Sequence, residues 1–252
     1  MKFSNGYWMT REGYEVLSPY EIHDVRVSGN SITVFATHRH LEHRGNTLNE
    51  PLMTMEFSSP MKDIIRAKFY HHKGRRRAAP DSFDLLANGN APVVIDNNDE
   101  FVSLTSGDTT VKITKAHPVV ITYTHKGRVL TGSGTRQTAF VRAQDGKHHF
   151  REQLNLAVGE TVYGLGERFS AFVKNGQVVD IWNEDGGTAS EQAYKNVPFY
   201  VTNRGYGVFV NHPELVSFEV ASEKVSKNQF SVAGEQLEYY LIGGDSLKDV
   251  LG

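Results

Sequence analysis

One short segment of the sequence combines side chains of the kinds that bind sugars. It runs Ile181-Trp182-Asn183-Glu184-Asp185-Gly186-Gly187-Thr188. An exposed indole offers an apolar face to sugar C–H groups, while amide and carboxylate groups donate to and accept from hydroxyls in fixed directions. The glycine pair lets such a loop extend outward at little steric cost. We therefore predict a substrate-contacting loop carrying Trp182, Asn183 and Asp185. Composition alone leaves a turn around a packed tryptophan equally open.

The glycine-rich segments of the sequence do not match the patterns of catalytic or nucleotide-binding loops. Gly132-Ser133-Gly134 has the flanks of a β-turn and not of the strand-to-helix turn that carries a nucleophilic serine. Gly164-Leu165-Gly166 lacks the third glycine and the following helix of a dinucleotide loop. Glu167 and Arg168 follow it, and we expect them to form an ion pair in a structural turn at a sheet corner. No catalytic residue is therefore predicted in this chain.

The histidines do not have the spacing of a metal site. We expect His38 and His40 on one face of a strand, with His43 close by and His148-His149 as a second pair. A metal site needs three or four converging ligands with orienting partners, and the chain has no cysteine to supply thiolates. We predict surface or hydrogen-bonded histidines, no bound metal and no cofactor.

Charge and hydropathy exclude some classes of partner. The formal net charge is −2, and the basic run at residues 73–77 stands alone, so we predict a solvated loop and no nucleic acid partner. No apolar run approaches the ~20 residues that cross a bilayer. The polar start of the chain lacks the apolar core of a secretory signal. We therefore expect a soluble, cytoplasmic protein with no membrane partner.

The alternation of apolar and polar residues predicts the β-strands that position the candidate site residues. Strand pairs are indicated on either side of turn residues at 28–30, 106–108 and 126–127, and further strands are indicated at 206–210, 216–220 and 237–242. Strands that recur every ~8–12 residues are typical of an all-β sandwich or barrel. Residues 71–92 and 172–196 depart from the pattern and are predicted to be long loops.

The last residues carry the one clear helix signal. Asp245 or Ser246 is suited to be the N-cap, and residues 247–251 follow it with helix-forming side chains. We expect a helix of about one turn to be unable to bury a face. The expectation is that the chain is the amino-terminal part of a longer protein.

The second half of the chain resembles glycoside hydrolase family 31, closest to its bacterial α-xylosidases. The match is dense from about residue 150 to 245 and looser before it, where Gly6-Tyr7-Trp8 contributes. It rests on the following segments: Val158-Gly159-Glu160-Thr161-Val162-Tyr163-Gly164-Leu165-Gly166-Glu167-Arg168-Phe169, Trp182-Asn183, Asp185-Gly186-Gly187, Glu191-Gln192-Ala193-Tyr194-Lys195-Asn196, Thr202-Asn203-Arg204-Gly205-Tyr206-Gly207-Val208, Val210-Asn211-His212-Pro213 and Ser222-Glu223-Lys224-Val225-Ser226-Lys227.

The resemblance implies that this chain forms a supporting domain and that a second domain carries out catalysis. Residues 1–245 are expected to form a large antiparallel β-sandwich of the galactose-mutarotase-like type, and residues 246–252 to begin a helix leading into a (β/α)₈ barrel. The two catalytic carboxylates of such a retaining enzyme lie in that barrel, beyond Gly252. The family uses an aspartate on a loop of the amino-terminal domain to shape the aglycone side of the pocket, and Asp185 matches it. An α-linked oligosaccharide or xyloside substrate, the barrel and further copies of the chain, as a homo-oligomer, are the implied partners.

Two alternative functions from other classes of protein remain open at this point. A free-standing carbohydrate-binding module would bind sugar on an exposed aromatic ring without an attached enzyme. An aldose epimerase would use the same type of fold, with a histidine and a glutamate facing one pocket.

Overall fold

The computed structural model describes residues 1–48, 50–71, 85, 90–185 and 190–252. The predicted basic loop at 73–77 and the pair Gly186-Gly187 lie outside these residues. Within them, the strands in chain order are β1 (Ser4–Asn5), β2 (Met9–Thr10), β3 (Tyr14–Leu17), β4 (Glu21–Ser28), β5 (Ser31–Thr37), β6 (Leu52–Ser58), β7 (Ile64–Tyr70), β8 (Val94–Asn97), β9 (Phe101–Ser106), β10 (Thr109–Thr114), β11 (Ile121–His125), β12 (Arg128–Ser133), β13 (Ala139–Ala143), β14 (His148–Asn155), β15 (Val162–Gly164), β16 (Gln177–Ile181), β17 (Phe199–Thr202), β18 (Tyr206–Val210), β19 (Val216–Val220), β20 (Lys227–Ala233) and β21 (Gln236–Gly243). A 3₁₀ turn covers Arg44–Thr47, and helix α1 covers Leu247–Leu251.

The strands form three large sheets and one small hairpin. The largest has eight strands in the order β15-β17-β18-β21-β7-β6-β5-β4, the second six in the order β16-β19-β20-β14-β13-β3, and the third five in the order β12-β11-β10-β9-β8. All the strand pairs within these sheets are antiparallel. Strands β1 and β2 make the separate hairpin at the amino terminus.

The eight-stranded sheet packs across one hydrophobic core from the other two. Strand β7 contacts β10, and β21 contacts β14 and β20. A single buried cluster takes Phe57 from the eight-stranded sheet, Val111 from the five-stranded sheet and Phe150 from the six-stranded sheet. The buried hydroxyls of Tyr123 and Tyr239 share a 2.8 Å hydrogen bond between two of these sheets. The molecule is therefore the large antiparallel β-sandwich that the sequence predicts.

The alternating segments pair as predicted. β4 pairs with β5, β9 with β10 and β11 with β12. Two predictions are wrong in detail. The predicted loop at 172–196 contains strand β16, which pairs with β19 through five residues from Gln177 to Ile181. Gly132 and Ser133 belong to the end of β12 and not to a turn.

The last helix begins at the predicted N-cap. The Ser246 hydroxyl accepts a hydrogen bond from the Asp249 amide at 3.3 Å, and the Asp249 carboxylate accepts one from the Ser246 amide at 2.9 Å. The expectation that this helix cannot bury a face is wrong, because Val250 is 5% exposed. Gly207 and Gly244 make room for it, since a Cβ at either position would meet a Val250 methyl at less than 3 Å. No helix among the described residues is long and apolar enough to cross a membrane.

Candidate functional site

A strained turn follows β15 and sets the direction of the chain at the candidate site. Gly164, Leu165 and Gly166 have φ angles of 107°, 67° and 87°, three positive values in succession. Positive φ is costly for leucine, but Leu165 is fully buried in the core and its amide donates to the Phe199 carbonyl at 2.8 Å. Burial of this one side chain therefore holds the turn in place.

The two glycines of this turn are required by close backbone contacts. A Cβ on Gly164 would lie 2.8 Å from the Phe199 carbonyl oxygen. A Cβ on Gly166 would overlap the Lys195 carbonyl oxygen and lie 2.9 Å from the Asn196 Cα. The turn after β15 therefore packs backbone to backbone against residues 195–199, which only glycine permits.

Arg168 ties the turn to two other parts of the chain. Its Nε donates to the Leu165 carbonyl at 3.2 Å, and Nη1 donates to the Glu191 carbonyl at 2.8 Å. Its Nη2 donates to the Asp180 carbonyl at 2.5 Å and to the Asn196 side-chain oxygen. Burial lowers the pKa of the guanidinium, against the opposing effect of nearby carboxylates, without removing its charge. Arg168 therefore joins β16 to residues on both sides of it.

The Arg168–Glu167 ion pair predicted from the sequence does not form. Glu167 instead pairs with Lys195 at 3.1 Å, and both side chains are exposed. Its backbone amide donates to the Lys195 carbonyl at 2.9 Å. The prediction failed because the partners of Arg168 are mostly backbone carbonyls, which no residue type identifies.

Asn196 closes the base of the segment that contains the predicted sugar contacts. Its Nδ2 donates to the Trp182 carbonyl at 2.8 Å, to the Asn183 side-chain oxygen at 3.0 Å and to the Ala193 carbonyl at 2.6 Å. Asn183 and Ala193 also form a parallel bridge, and the Glu184 amide donates to the Ala193 carbonyl at 2.9 Å. We call the described residues of this segment, 182–185 and 190–196, the clamped loop.

The three predicted contact residues have different environments on the clamped loop. Trp182 is 52% exposed, so its ring is available and is not the packed centre of a turn. The Asn183 side chain is engaged by Asn196 and helps to shape the loop. Asp185 is exposed and makes no hydrogen bond with another described residue. Trp182 and Asp185 are therefore the side chains that remain open to a ligand.

A cleft of about 410 Å³ lies beside the clamped loop. The turn after β15, Phe169, Phe172 and Tyr194 contribute to its walls. These three aromatic side chains are 66%, 79% and 63% exposed, which is unusual for rings of this size. Trp182, Asn183 and Asp185 are not among the residues that line it. The sequence-based prediction missed these aromatic residues, although Phe169 and Phe172 are spaced closely in the printed sequence.

The charges at this cleft do not form a hydrolytic pair. Among its described lining residues the one carboxylate is Glu167, which is paired with Lys195. Lys174 is buried, and its amino group donates to the Ser170 hydroxyl at 3.0 Å and the Ala171 carbonyl at 2.7 Å. Burial, followed by the charge of Arg168, lowers its pKa. Glycoside hydrolysis uses two carboxylates on either side of the bond, and this cleft presents one.

His38, His40 and His43 have separate partners, whereas His71 and His148 both lie against the Glu235 carboxylate. His38 pairs with Glu50 at 2.5 Å, and His40 pairs with Glu21 at 2.7 Å. Both follow the end of β5, so the prediction that they share a strand face is wrong. His43 caps the 3₁₀ turn. No group of three histidine, aspartate or glutamate side chains suited to a metal occurs within the described part of the chain.

Comparison with known proteins identifies relatives of this sandwich. A model of the glycosyl hydrolase 31 N-terminal galactose mutarotase-like domain matches residues 54–219. The chain is 44% identical over 252 residues to alpha-xylosidase XylQ of Lactiplantibacillus pentosus, which covers 100% of this chain and 33% of XylQ. It is 37% identical over 271 residues to an alpha-xylosidase of Emericella nidulans, covering 100% of this chain and 34% of that protein. The chain thus spans about a third of the length of these relatives.

The fold is also found in a solved structure. The cycloalternan-forming enzyme from Listeria monocytogenes, in complex with a pentasaccharide substrate, matches with a TM-score of 0.77 and 21% sequence identity. The match covers 94% of this chain and 22% of that one. At this identity the likeness concerns the fold alone.

Proposed function

The chain belongs to glycoside hydrolase family 31 through its amino-terminal galactose-mutarotase-like domain, and on this premise we propose that it serves a retaining α-glycosidase without carrying out catalysis itself. The enzyme we propose is an α-xylosidase that hydrolyses terminal α-linked xylose. The observation that carries the proposal is the match to XylQ, which extends over the whole chain but only a third of that enzyme.

The proposed division places residues 1–245 in the sandwich domain and residues 246–252 at the start of the connection to a (β/α)₈ barrel. Helix α1 supports this because Val250 packs into a space kept open by Gly207 and Gly244, so that the connection leaves the sandwich in a fixed direction. The barrel would supply both catalytic carboxylates. The sandwich would stabilise the barrel and extend one loop to its substrate.

The clamped loop is the proposed substrate contact. Arg168 and Asn196 hold its base, while Trp182 and Asp185 extend into solvent. Asp185 would accept hydrogen bonds from sugar hydroxyls on the aglycone side, and the Trp182 ring would cover an apolar sugar face. Asn183 would act mainly by fixing the loop. The hydrogen bonds at the base of the loop reduce the conformational entropy that is lost on binding, which favours such a role.

The rival readings have less support. An aldose epimerase needs a histidine and a glutamate in one pocket, whereas the cleft beside the clamped loop has Glu167 without a histidine among its described residues. A free-standing binding module would account for exposed aromatic side chains but not for identity with an α-xylosidase along the entire chain. We further propose that the full-length protein is a cytoplasmic homo-oligomer. Light scattering would test the oligomeric state, and cell fractionation would test the location.

A side-by-side assay tests the proposal. The 252-residue chain and the full-length protein that contains it are each incubated with p-nitrophenyl α-xyloside and p-nitrophenyl α-glucoside. We expect the full-length protein to prefer the xyloside and the isolated chain to be inert. Turnover by the isolated chain would place catalytic carboxylates within these residues and overturn the proposal. A full-length protein that cleaves neither substrate would overturn the assignment of the enzyme.

A further inference from the structure

A second cleft lies far from the clamped loop in the sequence, against the amino-terminal hairpin. Its volume is about 490 Å³. The hairpin of β1 and β2, the segment after β3 and the turn between β12 and β13 surround it, and β14 contributes a side chain to its wall. The lining residues used below are Tyr7, Trp8, Ser18, Arg136, Arg151 and Lys224.

Arg151 is a buried cation with most of its hydrogen-bond donors unused. Its side chain is 2% exposed, yet the guanidinium makes one hydrogen bond to a described residue, from Nη2 to the Arg136 carbonyl at 2.6 Å. Its Nε is buried and has no partner within the described part of the chain. A guanidinium has five N–H donors, and buried polar groups are nearly always satisfied. Several N–H donors of the Arg151 guanidinium are therefore available to hydrogen-bond acceptors of a ligand.

No carboxylate of the described residues neutralises Arg151 by direct contact. Burial lowers its pKa to about 10, while the charges of Glu223 and Glu152 oppose that effect through space. Glu223 accepts hydrogen bonds from the amides of Phe3 at 3.1 Å and Ser4 at 2.9 Å, which holds the hairpin. The Glu152 side chain accepts from the Thr138 hydroxyl on the core side of the sheet. The guanidinium carbon of Arg151 lies 5.9 Å from the centre of the Phe3 ring, which also lines the cleft, and no carboxylate of the described residues contacts the guanidinium there.

Two further cations line the same cleft. Lys224 donates to the Gln153 side chain at 3.2 Å and lies 5.0 Å from the centre of the Tyr7 ring. Burial, followed by the charge of Arg151, lowers its pKa. Arg136 is exposed at the rim. Among the described residues that line the cleft there is no aspartate or glutamate, so three cations face a space without a negative charge.

Uncharged side chains in the same cleft add a further hydroxyl group and an aromatic wall. Ser18 lines the cleft, and its buried hydroxyl has no hydrogen-bond partner among the described residues. On the hairpin, Tyr7 and Trp8 are 51% and 74% exposed, with ring centres 4.7 Å apart in an edge-to-face arrangement. Rings exposed to this degree beside cations suit a ligand that has both an oxyanion and a flat or cyclic body.

We propose that this cleft binds an oxyanion carried on a sugar-sized ring, either a sugar phosphate or a sugar acid. Arg151 and Lys224 contact the oxyanion from the inner side and Arg136 from the rim, because guanidinium and ammonium donors form strong, charge-assisted hydrogen bonds with phosphate and carboxylate oxygens. Trp8 covers the ring. The site is separate from the clamped loop, and it does not depend on which glycoside the full-length enzyme cleaves.

Binding measurements on the 252-residue chain test this site. The chain has two tryptophans, so a Trp182→Phe background leaves Trp8 as the fluorescent reporter. Glucose 6-phosphate, glucuronate, inorganic phosphate and glucose are titrated separately by fluorescence and by calorimetry. We expect saturable binding of glucose 6-phosphate or glucuronate, weaker binding of inorganic phosphate and no binding of glucose. The ratio of the first two affinities distinguishes phosphate from carboxylate as the preferred group.

Variants of the two cations that are not fully buried, one on the inner side and one at the rim, keep the test independent of folding. Lys224→Gln and Arg136→Gln remove one charge each and should weaken binding about tenfold, as expected for one charge-assisted hydrogen bond. Lys147→Gln removes an exposed lysine paired with Asp145 and should leave binding unchanged. The proposal is overturned if neither sugar anion binds up to about 20 mM, well above a millimolar dissociation constant. Equal affinity for glucose, or wild-type affinity in Lys224→Gln, would overturn it as well.

Discussion

Two arginines, the half-buried Arg168 beside one cleft and the buried Arg151 beside the other, are used in opposite ways. Arg168 donates to three backbone carbonyls and one side-chain amide, so its charge is satisfied by the chain and fixes the clamped loop. Arg151 is more deeply buried, yet it donates to one carbonyl. The first stabilises a shape that presents other side chains to a ligand. The second contributes little to the fold and keeps its donors for a ligand.

The largest expected effect separates these two roles directly. Arg168→Met should lower the free energy of unfolding by about 4 kcal/mol, because several hydrogen bonds to a charged group are lost and their carbonyl partners are left without donors. Arg151→Met should change it by less than about 1 kcal/mol, because replacing an unsatisfied buried charge with an apolar side chain is close to neutral. Urea unfolding at pH 7 measures both. Equal losses would contradict the comparison.

A second prediction sharpens the account of the turn beneath the clamped loop. Gly166→Ala should cost about 3 kcal/mol, since the new methyl group overlaps the Lys195 carbonyl oxygen in addition to the strain of positive φ. Gly159→Ala is the matched control, with φ of 74° and no atom within 4 Å of the added Cβ. It should cost about 1 kcal/mol, the strain alone. A Gly166→Ala variant as stable as the control would show that the turn can move away.

A third prediction concerns Glu152, which neighbours Arg151 on β14 but faces the core. Burial raises the pKa of its carboxyl to about 7, although hydrogen bonds from Thr138 and the Gln153 amide oppose the shift. The folded state therefore binds this proton more tightly than the unfolded state. The resulting stability is fully present below about pH 4.5, the unfolded pKa, and is lost as pH rises through about 7.

Glu152→Gln removes this titration and supplies the measurement. From pH 5 to pH 8 the wild type should lose about 2 kcal/mol of unfolding free energy relative to the variant. Urea unfolding of both proteins at the two pH values gives that difference. Parallel pH dependence in the two proteins would mean that Glu152 stays ionised in the folded core, and that β14 tolerates both of its central charges without a ligand or a proton.

The strands that the sequence predicts correctly are those with one apolar and one polar face. The hairpins of β4 with β5 and of β9 with β10 follow from alternation and turn residues. Strand β14 was not predicted because Arg151, Glu152 and Gln153 follow one another in it. Three consecutive polar residues are typical of an exposed segment, but here they are buried. The hydrogen-bond partners of these side chains include residues that are distant in the sequence, so the neighbouring residues do not predict them.

For the candidate site, the structure agrees with the predicted exposure of two side chains, whereas the hydrogen bonds that hold their loop could not be predicted from the sequence. Trp182 and Asp185 are exposed on a loop, as sugar-contacting side chains must be. The role of Arg168 depends on carbonyls up to 23 residues away, and carbonyls are present at every residue. The amino-terminal cleft combines residues from position 3 to position 224, so that no window of the sequence contains it.

The most direct test of the proposed role of the clamped loop is steady-state kinetics of Asp185→Ala in the full-length enzyme, with several α-xylosides that differ in their aglycone. We expect unfolding free energy within about 0.5 kcal/mol of wild type, as for an exposed side chain, and a roughly tenfold lower kcat/KM through KM for sugar aglycones. Glu191→Gln, an exposed acid on the same loop, is the control and should behave as wild type. Wild-type constants for Asp185→Ala with every aglycone would contradict the account.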